Sequence, residues 1–129
     1  MVNDSSARSP RSVKRLPRAS RIAKRREFLE AYERGEKLFG RYCVLFVVQN
    51  TSGSRIGVTV TKKVGKANVR NRMKRWVREV FRHNRTLLPP LNFVVNLKAG
   101  APEATFREFS ADLEKLFRRT RIRRPLVGA

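Results

Sequence analysis

Apolar residues are unevenly spread along the 129-residue chain, and their spacing predicts most of its elements. Residues 1–18 are rich in Ser, Arg and Pro, with little periodic apolar content. Such a segment cannot bury enough surface to order itself, so it reads as a disordered basic arm. From near Ser20 to Arg34, Ile22, Phe28, Leu29 and Tyr32 give part of a helical stripe, and Gly35 is placed to stop it. Tyr42 to Asn50 is β-branched and aromatic without alternation, which predicts a strand buried on both faces. Asn50 to Ser54 is a cluster of turn residues. Arg55 to Thr61 alternates, with Ile56, Val58 and Val60 on one side and Gly57, Thr59 and Thr61 on the other. The two strands are expected to form an antiparallel hairpin.

A long helix is predicted over about Ala67 to Asn84, broken by Pro89 and Pro90, and a third strand over Leu91 to Lys98. Thr105 and Glu108 have the spacing of a capping box, in which hydroxyl and carboxylate satisfy free backbone N–H groups. Phe106, Phe109, Leu113, Leu116 and Phe117 follow at helical spacing and read as core. Leu29 is also assigned to the core. Arg118 to Arg124 is basic again, and Pro125 is expected to end the helix. The order α-β-β-α-β-α makes this an α+β protein, a two-layer α-β sandwich. One domain, residues 19–120, is flanked by the arm 1–18 and a basic tail 121–129.

Charge turns this outline into a statement about partners. The chain carries 31 Lys and Arg against 10 Asp and Glu, a net charge of +21. Residues 62–85 alone hold ten cations and one acid, Glu79, while residues 27–61 are balanced at four and four. Charge needed only for solubility would be mixed along the chain. A concentrated excess points to a polyanion, nucleic acid first and an anionic membrane surface second. No apolar run is long enough to span a membrane, and the basic start is not followed by the apolar stretch of a secretory signal. A single cysteine, Cys43, excludes an internal disulfide framework and fits a small buried strand residue. A cytoplasmic location is the expectation.

On a helical projection of residues 67–84, at about 100° per residue, Val69, Met73, Trp76, Val77 and Val80 cluster on one side, with Phe81 at the margin. Asn71, Lys74, Arg75, Arg78 and Arg82 fall opposite, with Arg72 at one edge and Arg70 flanking the apolar side. Arginine suits phosphate because its planar fork donates two parallel hydrogen bonds. Ahead of this helix, Lys62, Lys63 and Lys66 surround Gly65, which permits a positive φ or a close approach to phosphate. The backbone N–H groups at the helix start also favour anions.

The spacing Val64, Ala67, Arg70-Asn71-Arg72-Met73-Lys74-Arg75, Val77-Arg78 closely resembles the signature of the bacterial ribonuclease P protein subunit. Arg15-Leu16-Pro17-Arg18, the Glu27-Phe28, Tyr32, Gly35 helix and Gly57-Val58, Val60-Thr61-Lys62-Lys63 look like further parts of that family. The resemblance spans about residues 15–120. It implies a sandwich with a left-handed β-α-β crossover, of the kind seen in the second domain of ribosomal protein S5. It implies a protein that joins a large catalytic RNA, the complex removing the 5′ leader of precursor tRNA. The RNA and its Mg²⁺ ions would carry the hydrolysis. Arg70, Arg72, Lys74, Arg75, Arg78 and Arg82 are then the surface for the catalytic RNA. Phe28, Tyr32 and Phe46, with Lys62, Lys63, Lys66 and Asn71, are then the leader-binding residues. Read from the residues alone, the three aromatics would be core; the resemblance puts stacking beside core packing for Tyr32 and Phe46.

The chain offers little for protein-borne catalysis. Its single histidine, His83, sits near the end of the basic helix, and no His, Cys or Asp cluster has metal-ligand spacing. Glu27, Glu30, Glu33 and Glu36 read as partners for nearby cations along one helix. No catalytic residue is expected in the protein. Three other readings share the charge: a structural RNA-binding protein of the ribosome, a duplex-DNA binder and a cationic membrane binder. The first lacks the Val64 to Arg78 pattern, the second would need helix-turn-helix spacing, and the third would need a free apolar helix face.

Overall fold

The computed structural model describes residues 16–50 and 53–128, the side chains of 121–128 excepted. The expected arm therefore lies outside the described residues up to position 15, as do Thr51 and Ser52 of the turn. The elements are α1 (Arg25–Arg34), β1 (Glu36–Phe39), β2 (Cys43–Gln49), β3 (Arg55–Thr59), α2 (Ala67–Asn84), β4 (Leu91–Leu97) and α3 (Phe106–Gly128). The four strands form one sheet in the order β1-β2-β4-β3. β2 is antiparallel to both β1 and β4, and β3 runs parallel to β4.

The α+β sandwich is present, and four details differ from expectation. First, β2 and β3 do not form a hairpin, because β4 lies between them. β2 and β4 are apolar on both faces, so pairing them together at the centre buries both; the alternating β3 takes an edge. Second, the short β1 was not expected. Its four residues place one buried side chain, Leu38, too few to give a period. Third, α1 starts at Arg25, not near Ser20. Ahead of it a 3-10 turn spans Arg18–Ser20, and the Ile22 N–H donates to the Ile56 carbonyl at 2.8 Å. Leu16 and Ile22 are thus anchors of an extended strap along β3, both buried. Fourth, α3 continues through Pro125. A proline removes one backbone donor there, and the helix is already fixed to the core by Phe109, Leu113, Leu116 and Phe117.

Register determines what each face carries. Leu38, Leu45, Val47, Ile56, Phe93 and Val95 face α2 and α3 and form the main core with Met73, Val77, Val80, Phe81, Phe109, Leu113 and Phe117. Phe46 and Val94, one residue out of phase, face the other way and pack with Ile22 and Ala31 under α1. So α1 adds a partial third layer on the second face. The capping box forms as expected: Thr105 N–H donates to Glu108 Oε1 at 2.8 Å, and Glu108 N–H to Thr105 Oγ1 at 3.1 Å. Leu29 and Phe106 are not core. They are 44% and 40% exposed.

Candidate nucleic-acid interface

α2 buries Met73, Val77, Val80 and Phe81 against the sheet, and Phe81 is fully enclosed, not marginal. Asn71 and Arg75 are exposed; Arg70, Arg72, Lys74, Arg78 and Arg82 are partly buried. The six cations therefore stand on one helix, five of them partly buried and Arg75 exposed. Glu79, the only acid on α2, bonds Arg82 and lies 3.4 Å from His83. Among the described residues, no carboxylate is within ion-pair distance of Arg70, Arg72, Lys74, Arg75 or Arg78. Arg78 feels this most: burial, and then the like charge of Arg21, lower its pKa. Arginine stays charged all the same, so an arriving anion relieves repulsion as well as making bonds.

The loop from β3 to α2 adds cations at the sheet edge. Val64 is buried and anchors it, and the turn closes through Val64 N–H to the Thr61 carbonyl at 3.0 Å. Gly65 has φ 153°, where a side chain would be strained and its Cβ would lie 3.0 Å from Val69 Cγ1. Lys62, Lys63 and Lys66 are all exposed. No side chain caps the start of α2, and its first turn holds no acid. The positive end of the helix dipole thus adds to the lysines.

The opposite face has a different construction. Phe28, Tyr32 and Phe46 are brought together between α1 and the sheet. Tyr32 and Phe46 meet edge to face with ring centroids 5.0 Å apart. Phe46 is buried, whereas Phe28 and Tyr32 are partly exposed. The Tyr32 hydroxyl donates to Asn96 Oδ1 at 2.9 Å and shares a hydrogen bond with Thr59 Oγ1, tying α1 to β4 and β3. Phe28 lies over Gly57, where a Cβ would come within 2.8 Å of its ring. Arg55 grips Glu27 through both terminal guanidinium nitrogens, Nη1 donating to Oε2 at 2.7 Å and Nη2 to Oε1 at 3.3 Å. That bond, more than any other cause, lowers the Glu27 pKa. Glu27 therefore bridges to the sheet, whereas Glu30 pairs along its own helix with Arg34 at 3.5 Å. Lys62, Lys63 and Lys66 are not within the aromatic cluster. They follow the end of β3 just past Thr59, and Asn71 lies on α2.

Sequence reading missed Lys37 and Phe39. Both lie on the Phe46 side of β1: Lys37 is the register partner of Phe46, with Nζ 5.7 Å from its ring centroid, and Phe39 is 66% exposed. Their place on that face follows from the β1–β2 register, which no local pattern in so short a strand announces. It also missed Arg21, which repels Arg78, and Arg85, whose guanidinium donates to Ser20 Oγ at 2.8 Å. Cys43 is fully buried, and burial, aided by Asp112, pushes its thiol up to about 12, away from any nucleophilic role. Among the described residues, no group of three or more His, Cys, Asp or Glu side chains could hold a metal ion. No described helix is long and apolar enough to cross a membrane.

Fold and site together define a small α+β protein with a polybasic helix on one layer and a partly exposed aromatic cluster on the other. The family model described as Ribonuclease P matches residues 16–121. The chain belongs to the ribonuclease P protein family. It is 39% identical over 107 residues to the ribonuclease P protein component of Citrifermentans bemidjiense, covering 82% of this chain and 92% of that protein. It is 31% identical over 109 residues to that of Bacillus velezensis, covering 83% and 94%. Among solved structures, the RNase P protein of Staphylococcus aureus superposes with a TM-score of 0.72 at 29% identity, covering 76% of this chain and 92% of that one. The RNase P protein of Thermotoga maritima gives 0.71 at 35% identity, covering 77% and 96%.

Proposed function

We propose that this chain is the protein subunit of a ribonuclease P ribonucleoprotein. In this reading it binds the catalytic RNA through α2 and the 5′ leader of precursor tRNA through the cleft under α1, and so assists removal of the leader. The observation that carries it is the row of cations on α2 with Glu79 as its single acid, on a member of this family. Arg70, Arg72, Lys74, Arg75 and Arg78 neutralise RNA phosphates, and Arg82 joins them on releasing Glu79. Exposed faces of Phe28 and Tyr32, backed by Phe46, stack on leader bases; stacking suits a partner that accepts many leader sequences. Lys62, Lys63, Lys66 and Asn71 guide the leader past the end of β3.

Hydrolysis, and the Mg²⁺ it uses, belong to the RNA in this reading, and no protein residue is catalytic. The described residues do not gather a carboxylate set for Mg²⁺. The protein supplies charge neutralisation and orientation, acting where the RNA complex is sequestered in the cytoplasm. Cleavage of a leader-bearing precursor tRNA by a bacterial ribonuclease P RNA at low Mg²⁺, with and without the chain, tests the proposal. Stimulated cleavage at the mature 5′ end is expected. Tight RNA binding without stimulation, using a matched RNA, would favour a structural RNA-binding protein instead.

A further inference from the structure

The seam between α2 and α3 carries an aromatic group for which the basic ridge gives no reason. Trp76 packs against buried Phe109 with centroids 5.7 Å apart, so one side of the indole is core. Its other ring neighbour, Phe106, stands T-shaped to it at 5.5 Å and is 40% exposed. The capping box fixes the start of α3 at this residue, so Phe106 is held in place on a rigid element. Arg72, one helical turn before Trp76, sets its guanidinium carbon 5.6 Å from the indole centroid. Arg72 Nε is buried and has no hydrogen-bond partner. A buried donor left unpaired is unfavourable unless something else pairs it.

We propose that Arg72, Trp76 and Phe106 form a binding site for one unpaired nucleobase of an RNA. Phe106 offers the stacking face, Trp76 backs it, and Arg72 holds the adjoining phosphate. The site rests on the reading of α2 as an RNA surface and extends it across the seam to α3. Charge selects this occupant. Arg72 flanks Trp76 on α2 with no carboxylate at ion-pair distance among the described residues, and Arg107 follows Phe106 on α3. The nearest acid in sequence, Glu108, is engaged with the Thr105 N–H. An aromatic face beside free guanidinium groups is what a splayed-out base and its phosphate require. A duplex, with its bases stacked inside, could use only the cations.

Trp76 is the only tryptophan in the chain, so its emission reports the site directly. The full chain would be titrated with a short unpaired oligoadenylate, an RNA duplex of equal length, inorganic phosphate and polyglutamate. The oligoadenylate should quench Trp76 while the other three leave it nearly unchanged. Phe106→Leu should weaken oligoadenylate binding about fivefold or more, and Phe106→Tyr should retain it, with melting temperatures unchanged. Oligoadenylate bound without quenching, and equally well by Phe106→Leu, would overturn the site while leaving the ridge intact. Equal quenching by phosphate or duplex would reduce it to a phosphate contact at Arg72, and equal quenching by polyglutamate would make it a protein-binding surface; either overturns the base site. Failure of both RNA probes to bind in a salt-dependent way would overturn the ridge reading as well.

Discussion

On the α2 face the apolar side chains are enclosed in the main core, and the cations stand outside it on stems. On the α1 face, aromatic rings, hydroxyls and amides share one partly open surface. Phe46 there is both wall and floor, and Tyr32 is both ring and hydrogen-bonding group. The ridge can therefore lose charge without losing structure. The cleft cannot lose a ring without losing both. On the proposed function, the ridge is the array of charges for one folded RNA and the face under α1 the stacking surface for varied single strands.

The largest expected effect lies on the ridge. Joint Ala substitution of Arg70, Arg72, Arg75 and Arg78 should lower the slope of log affinity against log salt for the catalytic RNA by about 3 to 4. Thermal stability should hold, since no described carboxylate pairs with any of the four. An unchanged slope would remove these residues from the interface. On the cleft, Gly57→Ala forces a methyl against the Phe28 ring, and denaturation should record a loss of about 1–3 kcal/mol. Stability unchanged by Gly57→Ala would mean that α1 does not pack this closely.

Tyr32→Phe sharpens the contrast further. It keeps the ring and removes the bonds to Asn96 and Thr59, so stability should fall by about 1–2 kcal/mol while leader binding persists. Loss of leader binding with stability intact would assign the hydroxyl, not the ring, to the RNA. The smallest effect concerns the bridge under α1. Glu27 has a folded pKa below the ordinary 4.5, so its contribution is complete above that value and disappears as pH falls through the folded one. Glu27→Gln should cost about 1 kcal/mol at neutral pH and nothing in strong acid, with the two pH–stability curves converging. Parallel curves would show that the bridge does not link α1 to β3.

The ridge was legible because one long helix carries its own period: the apolar stripe and the cations on the other side both follow from 3.6 residues per turn. The capping box was legible for the same local reason. The sheet order was not, since adjacency in sequence favours a β2–β3 hairpin and only the two-sided burial of β4 argues for the centre. Residues 20–24 suit a helix by pattern because Ile22 fits a helical stripe as well as it fits the edge of β3, where Arg21 bridges to Ile56; Leu16 to Arg18 fall in the arm by composition, and no local period marks Leu16 as buried. Lys37, Phe39 and the Glu27–Arg55 bridge depend on pairings distant in sequence, so no local pattern announces them. Phe106 fits the stripe of α3 and was placed in the core, yet it is the first residue of the helix, beyond the reach of the sheet.

The separation of roles between the two faces is tested most directly with Lys62, Lys63 and Lys66 replaced together by Ala. These side chains are exposed, so the fold is not at risk. The measurement is the affinity of the reconstituted RNA–protein complex for precursor tRNA with a leader and for mature tRNA without one. The account predicts weaker binding of the leader-bearing tRNA, unchanged binding of mature tRNA and unchanged affinity for the catalytic RNA. Equal losses for both tRNAs, or a loss confined to the catalytic RNA, would contradict it.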